Sequence, residues 1–393
     1  MTFLYILLAI VILLFMVLIH EFGHYCVGRM LNFKITEFSV GFGKALFSRK
    51  NKRGELISLR IFPLGGYCAF EGEEGSSDGK DSFNAQAPWK RILVFVAGVV
   101  FNFATAVVFS LILLCTIGYD IPQVVTFGYP TASDQIQNGY VITSVEENSQ
   151  VLSLDEELRL QEGDVIIAIN GEKIDFAYGV NYSTAIENEL DKAIAWAKEN
   201  NTSVTDYQLI ELTVRRNGEY QTAYTGFSVL KRAKVLSIDS ETGQPVLGEE
   251  ETAYSTGISA TAYVHTFWEA LERCVPFAFG LAWIVLKSLW LLITFQLSIA
   301  EIGGPITTIA TIASFTQANL ANVLILIPLI SANLAVFNIL PIPSLDGSHV
   351  LFTTIEAIRK KPIKREIENM IHTIGLFILF GAVIIIDILH FVL

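Results

Sequence analysis

Two histidines and a glutamate lie close together near the N-terminus, in the stretch LIHEFGHY that runs from Leu18 to Tyr25. Residues four apart share one face of an α-helix, so His20 and His24 can present both imidazoles to one metal ion. Glu21 stands one position further round the same helix. This H-E-x-x-H pattern is typical of zinc hydrolases, in which the metal activates a water molecule and the glutamate accepts the water's proton. The alternative is a capped helix end with two interfacial histidines and no metal.

A catalytic zinc ion needs a third protein ligand, and Asp346 in the stretch NLAVFNILPIPSLDGSHV is the best candidate. Pro341 and Pro343 rule out a continuous helix before it, and Gly347 permits a turn, so the carboxylate can be directed into a bundle of helices. Irregular backbone at membrane depth is tolerated where it lines a cavity. In the alternative, Asp346 only caps the helix that follows.

The composition points to a membrane protein with one acidic, water-exposed region. Hydrophobic residues make up 52% of the 393 residues and charged residues 17%, and the mean hydropathy is +0.49. Between Pro122 and His265 there are 22 acidic residues against 9 basic ones, so this region carries a net charge of −13 and the rest of the chain about +1. Such an acidic surface repels polyanions, and nucleic acid is therefore excluded as a partner. The four cysteines lie far apart and predict neither disulfides nor a cysteine metal site.

Four segments are apolar and long enough to cross a bilayer: Phe3–Ile19, Ile92–Gly118, Ala321–Leu340 and Ile374–Leu393. The first has no basic start and no small-residue cleavage site, which favours a permanent span over a removable signal peptide. A fifth segment, Phe277–Phe295, is interrupted by Lys287. An even number of crossings must separate the histidines from Asp346 if all three bind one ion, so we predict that this fifth segment lies in the interface.

Basic residues predict the orientation. They crowd the loop between residues 29 and 60 and the stretch IRKKPIKRE before the last span, so both loops should be cytoplasmic. The acidic region is then extracytoplasmic, and His20 and His24 lie at the cytoplasmic end of the first helix.

HEFGH and NILPIPSLDGSH, together with FSVGFGKALFSRK, RIFPLGGYCAFEGEE and GGPITTIA, resemble the site-2 protease family of intramembrane zinc metalloproteases. The resemblance is closest to bacterial members with PDZ domains, which cut membrane-spanning anti-sigma factors and signal-peptide remnants. It implies that His20, His24 and Asp346 ligate zinc and that Glu21 is the general base. It also implies that Asn338 is an active-site polar group near the substrate carbonyl.

Other residues match the family pattern only in part. Asn333 matches a position that the family usually fills with asparagine, although on physical grounds Asn333 and Asn338 could both simply hydrogen-bond a neighbouring helix. His349 follows the candidate ligand Asp346 by three residues, and we interpret it as a packing or supporting residue. The second span reads AGVVFNF, which keeps the family's Gly98 and Asn102 but lacks its proline.

The stretch GELISLRIFPLGGYCAF alternates polar and apolar residues, which predicts a β-hairpin that dips back towards the metal. An extended substrate could pair with an exposed edge of such a hairpin. The candidate substrate-binding residues there are Phe62, Pro63, Leu64, Gly65 and Gly66, to which Asn333 is added.

The acidic region alternates like paired strands, with turn signals at 162–164, Asn170-Gly171 and Asn217-Gly218. LQEGDVIIAINGEKI resembles the core of a PDZ domain, which grips peptide ends by strand addition. A purely structural β-domain is the alternative.

The predicted fold is a multi-spanning α-helical membrane protein with four core spans, a membrane-dipping β-hairpin, one interfacial helix and one extracytoplasmic β-rich PDZ domain. The predicted ranges are 1–118 and 298–393 for the two halves of the membrane core, 121–235 for the PDZ domain with a helical insert at about 176–206, and 236–297 for a linker with interfacial helices.

The predicted function is zinc-dependent cleavage of single-span membrane proteins or signal-peptide remnants in the bacterial inner membrane. The expected partners are these substrates, extracytoplasmic peptide termini at the PDZ domain, and the lipid bilayer. One rival is a membrane-anchored PDZ adaptor or holdase with a vestigial metal site. Another is a membrane zincin whose metal site lies in a soluble face and uses a downstream glutamate.

Overall fold

The computed structural model describes residues 2–73, 79, 82–118, 140–147, 149–173, 182–238, 245–294 and 304–392, which form two compact units. One unit combines Met1–Leu113 with Ala270–Leu393, and the other is Leu114–Glu269. The helices are α1 Thr2–Met30, α2 Pro88–Thr116, α3 Tyr182–Asn200, α4 Phe267–Ile293, α5 Pro305–Ala318, α6 Val323–Ile339, α7 Asp346–Arg359 and α8 Arg365–Val392. The strands are β1 Ile35–Lys50, β2 Leu56–Phe70, β3 Tyr140–Val145, β4 Val165–Ile169, β5 Glu172–Lys173, β6 Ile210–Arg216, β7 Glu219–Thr225, β8 Ser228–Ile238, β9 Pro245–Ser255 and β10 Ile258–Ala262.

Five helical segments among the described residues are long and apolar enough to cross a membrane: α1, α2, α4, α8, and Leu320–Ile339, which is α6 with the turn before it. The protein is therefore a multi-pass membrane protein, and four of these helices overlap most of the four spans predicted from the sequence. Helix α4 contains most of the segment predicted to lie in the interface. Its length and composition also suit a span, so that placement stays a prediction.

Helices α1, α5 and α6 pack together around a core that alternates small and large side chains. Its buried members are Ala9, Ile12, Met16, Ile312, Ala313, Leu326 and Ile327. The Ser331 hydroxyl donates to the Met16 sulfur at 2.8 Å within this bundle. Since lipid is as apolar as these side chains, close fit and such polar contacts hold the helices together. This packing holds α1, which carries HEFGH, against α6, which leads towards Asp346.

Strands β1 and β2 form the predicted hairpin, and the hairpin doubles back on itself. Val40 pairs with both Gly66 and Leu59, so the first half of β1 lies between the two halves of β2. The bends occur at glycines with left-handed backbone, Gly41 and Gly43 in β1 and Gly65 in β2. The bends return the second half of β2 to α1.

A second apolar cluster joins the C-terminal end of α1, the hairpin and α2. It consists of Phe33, Ile35, Phe70, Phe83, Val94 and Phe95. Helices α1 and α2 also approach closely at Gly23, where an added Cβ would lie 2.6 Å from the carbonyl oxygen of Ala97. Small residues are what permit such an approach. Gly23 lies within HEFGH, so this contact places α2 directly against the motif.

The unit Leu114–Glu269 contains a sheet with strand order β10-β3-β4-β6-β7, in which β5 pairs with β4, and a separate β8–β9 hairpin. The Asn170-Gly171 and Asn217-Gly218 signals are both turns with positive φ, as type I′ hairpins require. Helix α3 lies within the range predicted for the insert, whose residues 176–181 lie outside the described ones. Strand β10 extends this sheet beyond the predicted boundary at residue 235. Assignment of the unit as a PDZ domain stays a prediction.

Candidate metal centre

His20, His24 and Asp346 meet at one point, although 322 residues separate the second histidine from the aspartate. Both histidines are buried, and their Nε2 atoms lie 3.2 Å apart. The Asp346 Oδ2 atom lies 2.9 Å from His20 Nε2 and 3.3 Å from His24 Nε2. The structure thus brings together the three candidate ligands.

The three atoms fit a zinc ion. In a tetrahedral site with bonds of about 2.0–2.1 Å, ligand atoms lie about 3.3 Å from one another, close to the distances found here. Burial of the Asp346 carboxyl raises its pKa, but charge attraction to His24 and hydrogen bonding to His20 outweigh burial and leave the pKa below its ordinary value. The lowered pKa favours the ionised carboxylate, which is the form that binds a metal.

Helix α2 places a polar group beside the Nδ1 atom of each histidine. The His24 Nδ1–H donates to the carbonyl oxygen of Val94 at 2.8 Å, which leaves the Nε2 lone pair for a metal. The fully buried Asn102 has its Nδ2 atom 3.2 Å from His20 Nδ1, and its Oδ1 has no hydrogen-bond partner among the described residues. A ligating His20 needs an acceptor at Nδ1, and a 180° rotation of the Asn102 amide supplies one.

Gly98 of α2 makes room for both imidazoles. A Cβ at this position would lie 2.5 Å from His24 Nε2 and 2.6 Å from His20 Cε1. Gly98 and Asn102 are four residues apart and so share a helix face, but this spacing does not say which helix that face contacts. The sequence pointed to them only as family-pattern residues.

The aspartate is positioned by the irregular segment between α6 and α7. Helix α6 ends at Ile339 and α7 begins at Asp346, as the two prolines predicted. Ser344 has a φ of 77°, an uncommon conformation for a residue other than glycine. The N-cap residue of α7 is Leu345 and makes no side-chain capping bond. Asp346 is thus the first residue inside α7, and its carboxylate points to the histidines.

A cavity of about 250 Å³ lies beside the three candidate ligands. Its lining residues are Val17, His20, Glu21, Phe42, Gly65, Gly66, Asn102, Leu334, Asn338, Ser344, Leu345 and Asp346. Glu21 therefore faces the same space as the ligands, as its place in the motif predicts. The apolar part of the wall comes from Val17 of α1, Leu334 of α6, Phe42 of β1 and Leu345.

The hairpin closes one side of this cavity with two of its predicted residues. Gly65 and Gly66 line the cavity, and an added Cβ on Gly66 would lie 3.4 Å from Glu21 Cγ. Phe62 is exposed and packs over Gly43, outside the cavity lining. The side chains of Pro63 and Leu64 lie outside the described ones.

The two asparagines of α6 have different surroundings. Asn338 lines the cavity, whereas Asn333 is exposed and is not among the lining residues, so the structure does not bring Asn333 to the site. His349 does not reach the three candidate ligands. Its ring stacks between Phe95 and His372, with centroid distances of 4.9 and 4.1 Å.

Comparison with known proteins decides the family. A model described as Peptidase family M50 matches residues 8–382, nearly the whole chain. The chain belongs to this family, the site-2 proteases. It is also similar over its length to proteins named "Putative zinc metalloprotease" in three bacteria. The identity is 28% for Clostridium perfringens (98% of this chain, 97% of the relative), 27% for Rickettsia conorii (94% and 93%) and 27% for Campylobacter jejuni (95% and 90%).

Membership of family M50 makes the chain a zinc metalloprotease and identifies zinc as its metal. This agrees with the donor set on α1 and α7, since two imidazoles and a carboxylate suit zinc and leave a position open for water or substrate. Helix α2 of this M50 protease runs unbroken through Gly98 without the family's proline.

Proposed function

We propose that this M50 protease hydrolyses a peptide bond within or beside the transmembrane segment of single-span membrane substrates. Anti-sigma-factor-like proteins and signal-peptide remnants are the substrate classes that fit, after another protease has removed most of the outer part. The observation that carries the proposal is the cavity of about 250 Å³, which Glu21 and Asn338 line beside the three candidate ligands and between helices of membrane length.

The chemistry follows from the residues on the cavity wall. His20, His24 and Asp346 would hold zinc, which when bound polarises a carbonyl and lowers the pKa of a water molecule. Glu21 would accept the water's proton and deliver it to the departing amine. The Asn338 amide would donate a hydrogen bond to the substrate oxygen as negative charge develops there.

The hairpin supplies a way to present a helical substrate. A peptide bond inside a helix is protected by the helix's own hydrogen bonds, so a substrate must be unwound before it can be cut. The second half of β2 begins at Gly66, on the cavity wall, and pairs with β1 on one side. A substrate strand added to an exposed edge there would be extended and close to Glu21.

We also propose the membrane arrangement and the partners. Four spans would place the metal centre near the cytoplasmic face of the bacterial inner membrane, with the unit Leu114–Glu269 outside. That unit would act as a PDZ domain that binds extracytoplasmic peptide termini. Its excess of acidic residues supports the exclusion of nucleic acid as a partner.

The test is cleavage of a single-span reporter protein by the detergent-purified chain, with bound zinc counted in each sample. The variants are Glu21→Gln, which removes the base, and Asp346→Asn, which weakens a ligand. We expect cleavage by the wild type alone, with zinc kept in Glu21→Gln and lost or weakened in Asp346→Asn.

Two other outcomes would each favour a rival. A well-folded wild type with zinc bound and no cleavage of any single-span reporter would favour an adaptor or holdase. Normal zinc content and activity in Asp346→Asn would favour a zincin with a different third ligand.

A further inference from the structure

Helix α8 forms hydrogen bonds with the segment between α6 and α7, which leads to the third candidate ligand, Asp346. The backbone N–H of Ser344 donates to His372 Nδ1 at 2.9 Å, and the Ser344 hydroxyl donates to the backbone oxygen of His372 at 2.7 Å. One residue of α8 therefore accepts both hydrogen bonds from a loop residue that lies two positions before Asp346.

Ser344, which α8 holds by these hydrogen bonds, has a strained backbone conformation. Ser344 has a φ of 77°, which costs free energy and persists only where surrounding contacts enforce it. Its neighbour Leu345 donates its N–H to the carbonyl of Ile342 at 3.1 Å, which completes the turn before α7. This turn determines the direction of the Asp346 carboxylate. Contacts that hold the backbone of Ser344 therefore also orient Asp346.

The His372 ring is itself held in place. It lies parallel to the His349 ring, with an angle of 11° and a centroid distance of 4.1 Å, and His349 stacks in turn on Phe95 of α2. Three residues further along α8, Gly375 allows Pro343 to pack against the helix, where any Cβ would collide with the proline ring. These contacts fix the position of Nδ1 relative to the loop.

His349, Glu368 and His372 bring their possible ligand atoms within 4.8 Å of one another, which raises the alternative of a second metal site. The geometry argues against it. Ring nitrogens bind a metal in the plane of the ring, and two parallel stacked rings cannot both direct a nitrogen to one ion. Moreover, Nδ1 of His372 already accepts the Ser344 N–H, so the neutral ring carries its proton on Nε2.

We propose that His372 is a positioning residue for the metal centre. It acts through Ser344, by holding the loop in the conformation that directs Asp346 to His20 and His24. The inference rests on the ligand set of the proposed function, and its test includes a variant that checks that set separately.

The experiment measures zinc affinity by chelator competition on the full-length, detergent-solubilised chain, with thermal unfolding of each sample as a control. His372→Phe keeps the ring stack but removes the acceptor. His372→Asn places its Oδ1 where Nδ1 was and can accept the Ser344 N–H. The matched control is His349→Phe, which changes the neighbouring ring of the same stack, and Asp346→Asn tests the ligand itself.

We expect His372→Phe to weaken zinc binding about 10-fold to 100-fold, as is typical when a residue that orients a ligand is lost. His372→Asn should restore most of the affinity, which a purely structural role of the ring would not allow. His349→Phe should bind zinc as the wild type does.

Three results would overturn the inference. These are unchanged zinc affinity in a folded His372→Phe, equal weakening in His372→Asn and His372→Phe, and two zinc ions per wild-type chain with one lost in His349→Phe. Unchanged zinc affinity in Asp346→Asn would instead contradict the ligand set, and is thereby distinguished from the first three.

Discussion

At the scale of single residues, the metal centre depends on a position that has no side chain. Among the described glycines, Gly98 is the one where an added Cβ would contact both imidazoles, those of His20 and His24. A methyl group there would force the two rings apart, because backbone on one side and Asp346 on the other leave them little room to move. The identity of this residue therefore controls the ligand geometry.

We predict that Gly98→Ala weakens zinc binding at least about tenfold, the size of effect seen when ligand orientation is disturbed. The matched control is Gly381→Ala on α8, where an added Cβ meets nothing within 4 Å. Because alanine favours a helix by about 1 kcal/mol over glycine, the control should keep its zinc and be no less stable. Chelator competition measures how much zinc each of the two variants retains. Equal zinc retention in Gly98→Ala and Gly381→Ala would contradict the prediction.

The candidate metal ligands could be predicted from the sequence because both a regular helix and an interrupted one have recognisable sequence patterns. The four-residue spacing of His20 and His24 specifies a shared face, and the prolines before Asp346 specify a bend. The contributions of Asn102 and Gly98 depend on how α2 crosses α1, which is a matter of tertiary packing. No local pattern encodes the partner of a helix face, so their contacts with the histidines required the structure.

At the scale of elements, the hairpin brings glycine backbone to the cavity. Gly65 has a φ of 120° and lies against the Phe42 ring, while Gly54 has a φ of 84° and nothing within 4 Å of an added Cβ. Both positions strain an alanine, but only the first also crowds the cavity. Comparing alanine variants at Gly65 and Gly54 therefore distinguishes the effect of backbone strain from the effect of blocked substrate access.

We predict that Gly65→Ala lowers cleavage of a single-span reporter at least about tenfold while zinc stays bound, because access and strand pairing are impaired rather than the ligands. Gly54→Ala should lose about 1–2 kcal/mol of stability, the cost of a left-handed conformation for alanine, and keep its cleavage rate. The test measures the zinc content and the initial rate of reporter cleavage for both variants. A loss of zinc in Gly65→Ala would show that the hairpin supports the metal centre itself.

A buried ion pair joins α2 to α7. Arg91 donates to Glu356 at 2.6 Å, both side chains are about 6% exposed, and Glu356 also accepts the backbone N–H of Ile363 at 2.9 Å. The pair ties α7, which begins with Asp346, to the helix that orients His24. Removing one partner of such a pair leaves an uncompensated buried charge, whereas replacing both with apolar residues often costs little.

We predict that Arg91→Met destabilises the protein by about 3–5 kcal/mol and that the double variant Arg91→Met with Glu356→Met recovers much of that loss. Thermal unfolding in detergent measures the difference. A double variant less stable than the single one would mean that Glu356 contributes mainly through its bond to Ile363.

Sequence patterns predicted the long apolar helices and the hairpin, whereas strands β9 and β10 lie in the range predicted as a linker. The alternation in β2 predicted a hairpin, but the doubling back depends on the left-handed glycines of β1 and β2 acting together. Strand β10 lies in a range for which the sequence predicted a linker, and it pairs with β3 more than a hundred residues earlier. Pairing over such a separation has no signature in a local window of sequence.

At the scale of the whole molecule, the metal centre constrains the number of crossings. His24 lies near one end of α1 and Asp346 follows α6, so both ends must be at the same face of the membrane. Helices α2 and α6 supply two crossings between them. If α4 also crosses, residues between α4 and α6 must supply one more, yet α5 is only 14 residues long and a bilayer core needs about 20.

We therefore predict that Thr294, just after α4, is labelled from the outer side by a membrane-impermeant maleimide when it is replaced by cysteine. The background has alanine at the four native cysteines, Cys26, Cys68, Cys115 and Cys274. Asn201→Cys in the acidic unit provides the outer marker, and Lys361→Cys in the basic loop before α8 provides the cytoplasmic one. Labelling of Thr294→Cys together with the outer marker means that α4 returns to the face it left, and that four crossings suffice. Labelling together with the cytoplasmic marker means that α4 spans, and the segment between α4 and α6 must then return through the membrane for Asp346 to reach the histidines.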